Sequence, residues 1–184
     1  MDSIHALSIC QASLVKLSQG LRAFSAFALG VFITFSQSHS AEIGLWSLAI
    51  LGLSIAVTPL VALKNKTSVL ELLPLAVVGL LVGALAVLAI LVPSQLGHVA
   101  AFISLVTAFG LISGAFELFQ AGRSGFKTQA GKDLLVSAAF ALALGALFLI
   151  VPLDVISAVG FFGAYLALSG VHLGIAAFTP QVKK

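Results

Sequence analysis

Charge is what this chain has least of. Only 8% of its 184 residues are Asp, Glu, Lys or Arg, against 60% hydrophobic residues and a mean hydropathy of +1.20, whereas a soluble domain carries about 25% charged residues. Nine Lys and Arg with six Asp and Glu cannot clothe a water-soluble surface of this size. The composition is that of an all-α integral membrane protein. Cysteine is nearly absent too, and the single Cys10 excludes an internal disulfide or a cysteine-rich metal centre. The first twenty residues hold Asp2, no basic cluster and no continuous apolar stretch, so they do not read as a cleavable signal peptide. Equally missing are a His-rich or carboxylate-rich cluster, a Gly-rich phosphate loop and a nucleophile elbow. The expectation is a protein with no catalytic residues, no metal and no cofactor. Its net charge of +3 reflects the side of a membrane that the few charges occupy and does not point to nucleic acid.

What is there is a series of apolar runs. Residues 1–20 form either a short surface helix, through Ile4, Leu7, Leu14 and Leu17, or a disordered tail. The membrane domain occupies 21–178, and 179–184 is a basic tail. The first span, Leu21 to Phe35, is short for a bilayer that takes about 20 residues, so Arg22 is expected to snorkel toward the headgroups. The second runs from Ile43 to Leu63. Pro59 near its end frees the carbonyl of Ile55, and Ser54 or Thr58 is placed to satisfy it. The third ends at Val92; its helix begins near Leu73 with Pro74 in its first turn, the preferred reading because it leaves no lost hydrogen bond, or starts at Val69 and kinks. The fourth covers His98 to Gln120, the fifth Leu134 to Val151, and the sixth Val155 to Phe178 with Asp154 as its cap.

If the N-terminus is cytoplasmic, Lys16, Arg22, Lys64, Lys66, Arg123, Lys127, Lys132, Lys183 and Lys184 all fall at the cytoplasmic edge, as the positive-inside rule requires of short loops. Six helices with both termini inside follow. They form three tandem hairpins. The second and third share a Val-Pro turn and a later Ser-Gly pair, Ser113 and Gly114 against Ser169 and Gly170, while Gly30 and Gln37 in the first keep the spacing of Gly145 and Pro152.

A glycine two turns before a proline, a short outer turn, and a second helix bearing Ser-Gly followed by a polar residue resemble the HdeD-like family of small bacterial inner-membrane proteins. The resemblance covers Leu21 to Phe178, with SQSHS replacing the proline turn in the first hairpin. It implies six helices, a location in the bacterial inner membrane and a link to acid-stress survival, and it carries over no catalytic residue.

Two ionisable side chains fall inside the apolar spans at matching depth, Glu117 and His172, each shortly after the Ser-Gly pair of its hairpin. An intramembrane carboxylate costs roughly 2.5 to 3.5 kcal/mol on insertion scales. One acid and one imidazole on neighbouring helices are a candidate proton-responsive pair, with Tyr165, Ser169 and Ser113 as supporting polar residues. The competing reading has Glu117 snorkelling toward Arg123 or Gln120 and His172 as a packing residue. Three Gly-xxx-Gly pairs, Gly79 and Gly83, Gly110 and Gly114, Gly170 and Gly174, are suited to close helix packing. His39 and His98 lie in the outer turns, open to external pH, without the paired spacing of metal ligands. Glu42, Trp46, Glu71 and Asp154 read as interfacial anchors or caps.

The expected partners are the lipid bilayer and either a second copy of the chain or another membrane protein. The leading expectation is a non-enzymatic inner-membrane protein of acid or envelope stress. A small proton-linked transporter or channel using the face between the fourth and sixth spans is the alternative, as is an accessory subunit of a larger membrane complex.

Overall fold

The computed structural model describes residues 2–61, 66–92 and 94–179. Within them every regular element is a helix: α1 (Asp2–Phe35), α2 (Ala41–Ala56), α3 (Thr58–Val61), α4 (Lys66–Ile90), α5 (Gln95–Ser124), α6 (Gln129–Ile150) and α7 (Val155–Phe178). α3 continues α2 across a break, so six helices are long and apolar enough to cross a membrane. Phe24, Phe32, Leu53, Phe119 and Leu168 each leave more than half of their surface uncovered. In water such a shell would aggregate; in lipid it is the solvated face. The chain is a multi-pass membrane protein.

Helix boundaries follow local chemistry. Ser40, Ser94, Thr128 and Asp154 each stand in extended conformation and accept a hydrogen bond from an amide of the first turn that follows, satisfying donors the helix cannot. At the end of the second span the hydroxyl of Thr58 donates to the Ile55 carbonyl at 2.7 Å. That is the carbonyl Pro59 leaves without its usual donor. The polar linker after the fourth span shrinks to Gly125–Thr128, where Gly125 turns the chain with φ of 83°, a conformation that side chains disfavour.

One expectation is corrected. Pro74 is not in the first turn of its helix: α4 begins at Lys66 and carries Pro74 within it, while the stretch apolar enough to cross a membrane begins at Glu71. The carbonyl that Pro74 cannot serve lies one turn earlier, toward the polar end, where water can take the place of the missing amide. Through residues 2–20 α1 runs without interruption into the first span, whose membrane-crossing stretch is Leu17–Phe35. Residues 62–65 with Lys64, Pro93 of the expected turn, and residues 180–184 of the expected basic tail lie outside the described residues.

The closest helix pairs are α1 with α7, α2 with α4, and α5 with α6. Each joins the end of one sequence repeat to the start of another. A glycine sits at each crossing. A Cβ on Gly52, Gly114 or Gly170 would meet the backbone nitrogen of Gly83, Leu142 or Phe27 on the facing helix, at 2.9, 2.9 and 2.5 Å. Lipid supplies no hydrophobic drive between helices, so contact depends on how closely backbones approach. Gly52 is thus the first-hairpin counterpart of the two Ser-Gly glycines. Gly79 faces Gly52 and Ile55, Gly110 faces Ala141 and Gly145, and Gly174 reaches only the Ala23 methyl at 4.0 Å.

The end of the bundle bearing Arg22, Arg123, Lys127 and Lys132 is the basic end; the other holds the turns around residues 36–40, 91–94 and 151–154. Toward the turn end the centre is filled by aromatic rings. Phe102 packs edge-on against Phe162 at 5.6 Å and Phe148 at 6.1 Å, with Gly44 on α2 making room for the Phe102 ring. Such edge-to-face pairs are favourable beyond the area they bury.

Candidate functional site

Near the basic end the interior becomes polar. Arg22 on α1 and Glu117 on α5 form an ion pair, with Arg22 Nη2 donating to Glu117 Oε1 at 2.9 Å. The Ser137 hydroxyl on α6 donates to the second oxygen, Oε2, at 2.6 Å. Three helices meet on one carboxylate. The Glu117 side chain is 5% exposed and that of Arg22 16%, so the charges are largely removed from solvent and depend on one another.

The reason Arg22 reaches inward is positional. It lies next to Ala23 and one turn before Ala26, whose small side chains are buried on the inner face of α1, and its long stem can follow that face toward α5. The snorkelling expected of Arg22 is therefore replaced by a cross-bundle contact, and Glu117 turns neither to Arg123 nor to Gln120. Ser137 escaped notice in the sequence because one serine in an apolar helix is unremarkable. Its signal is that it shares a buried face with Ala141, Leu144 and Phe148.

Around the ion pair the helices part. Arg22 borders three cavities: one opening between α1, α4 and α5 toward the basic end, one between α1, α6 and α7, and a small one deeper, beside Tyr165 and Ser169. Glu117 and His172 both border the second of these, about 90 Å³ in volume. They are not bonded to each other. The His172 Nε2 lies 2.9 Å from the Asp133 carbonyl, and its ring stands edge-on to Phe140 at 6.0 Å. That bond places the proton on Nε2 in the neutral ring. Ser113 donates to the Phe109 carbonyl of its own helix and takes no part in the cluster.

Comparison with protein-family models, with curated proteins and with solved structures finds no match for this chain. Its chemistry must be read from its own residues.

A second polar site lies at the turn end. His98, expected in an open turn, is instead buried at 4% exposure in the first turn of α5. Its Nε2 bonds to the Val92 carbonyl at 2.7 Å and its Nδ1 stands 3.3 Å from Glu42 Oε1, without the alignment of a hydrogen bond. Gln95 donates to the same Glu42 oxygen at 3.2 Å. His39 stays in the connection between α1 and α2. Among the described residues no group of three or more His, Cys, Asp or Glu is arranged to hold a metal ion.

Proposed function

We propose that this chain is a non-enzymatic protein of the bacterial inner membrane, of the HdeD-like kind, that serves acid or envelope stress, with the basic end in the cytoplasm. The observation that carries the reading is the single carboxylate, Glu117, on which α1, α5 and α6 converge through Arg22 and Ser137. Ionised, it balances the guanidinium and accepts from the serine. Protonated, it loses most of its hold on Arg22, and a half-buried cation is left without its partner. Acid then weakens the tie between α1 and the rest of the bundle at the basic end. His172, on the same cavity, is the second titratable group within reach of this change. The turn end, closed by Phe102, Phe148 and Phe162, favours a sensor or scaffold over a proton-linked transporter or channel. A second copy of the chain or a larger membrane complex would receive the signal.

Spin labels at Gly20 and Ser124, with Cys10 replaced by Ser, test the reading in lipid nanodiscs. The distance between them should lengthen or broaden as pH is lowered from 7.5 in the otherwise native chain. Glu117→Gln should give the broad distribution at every pH. A distribution that ignores pH would remove the proposal. Proton flux into vesicles that is lost in Glu117→Gln would favour the transporter instead.

A further inference from the structure

The cavity between α1, α4 and α5, about 260 Å³, has a wall divided by chemistry. Arg22, Arg123, Glu71 and Gln120 line one part, and Leu72, Leu75 and Phe116 another. Arg22 uses one N–H group on Glu117. Among the described residues its other guanidinium nitrogens have no hydrogen-bond partner, and Arg22 lines the cavity, although a guanidinium carries five donors in a fixed fork. Arg123, on the rim, forms no ion pair among the described residues. The Glu71 carboxylate forms none either; only its backbone carbonyl is used, by Gln120 at 3.4 Å. Glu117, on the same wall, already accepts one hydrogen bond at each oxygen and balances Arg22. The groups left to meet a ligand are two guanidiniums, one carboxylate and an apolar strip.

We infer that this cavity binds the headgroup of an aminophospholipid. Its phosphate is held by Arg22 and Arg123, whose planar forks match phosphate oxygens. The primary ammonium points to Glu71, and the glycerol and first acyl carbons lie over Leu72, Leu75 and Phe116. The setting agrees, because the basic end of a multi-pass protein stands at headgroup depth. An anion alone would leave both Glu71 and the apolar strip without a role. This inference shares Arg22 with the proposed acid response, but Glu71 and Arg123, the residues its test changes, lie outside the Glu117 cluster, and the test is run at one pH.

The test uses the full chain, delipidated in a maltoside detergent at constant pH 7.5, and titrates dihexanoyl lipids bearing ethanolamine, choline or glycerol headgroups. The ethanolamine lipid should bind about tenfold more tightly than the other two, the scale of a hydrogen-bonded charge. Glu71→Gln should erase the preference for ethanolamine over choline, and Arg123→Gln should weaken all three. Equal affinities, or variants without effect, would overturn the assignment. Soluble O-phosphoethanolamine binding as tightly as the lipid would identify a free phosphoamine as the ligand and overturn the lipid assignment.

Discussion

Arg22 and Glu117, 95 residues apart in the chain, meet at 2.9 Å and tie the first membrane helix to the fourth. The pair is placed where neither partner can be removed alone. Arg22→Met should destabilise the fold by about 3 kcal/mol by stranding a buried carboxylate, whereas the double change with Glu117→Met should restore most of that loss. Unfolding in mixed micelles measures both, and two additive single costs would show that the pair is uncoupled.

The helix crossings make a contrast within one residue type. Gly170→Ala sets a methyl 2.5 Å from the Phe27 nitrogen and should cost about 1 to 3 kcal/mol, as overpacking does. Gly160→Ala meets nothing within 4 Å and should be neutral or stabilising by up to about 1 kcal/mol through helix propensity. Thermal unfolding of the two variants side by side reads the difference.

Thr58 isolates the repair at Pro59. Thr58→Val keeps the shape and removes the donor to Ile55, which should cost about 1 to 2 kcal/mol for a carbonyl left without its partner. Thr58→Ser keeps the donor and should retain most of the stability. Similar losses in both would assign the effect to packing of the methyl.

Asp154 is a pH-dependent cap. Its hydrogen bonds from the Ser157 hydroxyl and amide, then from the Ile156 amide, hold the carboxyl below its ordinary value of 3.8. A folded value below the unfolded one means that the cap is at full strength above the ordinary value and is lost as pH falls through the folded one. Protection of the α7 first-turn amides, corrected for intrinsic exchange, should therefore decline only below about pH 4. Asp154→Asn should flatten that decline.

Orientation is open to direct chemical test. With Cys10 replaced by Ser, a thiol at Ser38 should react with an impermeant maleimide added to intact cells, and a thiol at Ser124 should react only after lysis. Both serines are exposed in the structure. Labelling of Ser124 from outside would reverse the proposed orientation.

How far the sequence could be read differs by element. Spans five and six were legible because apolar runs ended at clear signals, Pro152 and the cap Asp154. α4 was not, because Pro74 reads as a helix start, whereas in a bilayer the backbone gains more by staying helical through it. Glu117 could be singled out as a carboxylate in lipid. Its partner could not, since Arg22 sits at a span edge where snorkelling is the ordinary expectation. His98 misled for the mirror reason: a histidine beside a turn reads as exposed, and the fold of the turn onto α5 buries it.

Composition and hydropathy alone determined that the chain is helical and lives in a membrane, because a backbone in lipid must satisfy its own hydrogen bonds and few other structures do so. They also marked the spans, since each apolar run is long enough to be a helix by itself. Which helices touch was decided only by the tertiary structure. Apolar surfaces in lipid are nearly equivalent, so the choice rests on where a glycine meets a facing backbone, and on one arginine finding one glutamate across the bundle.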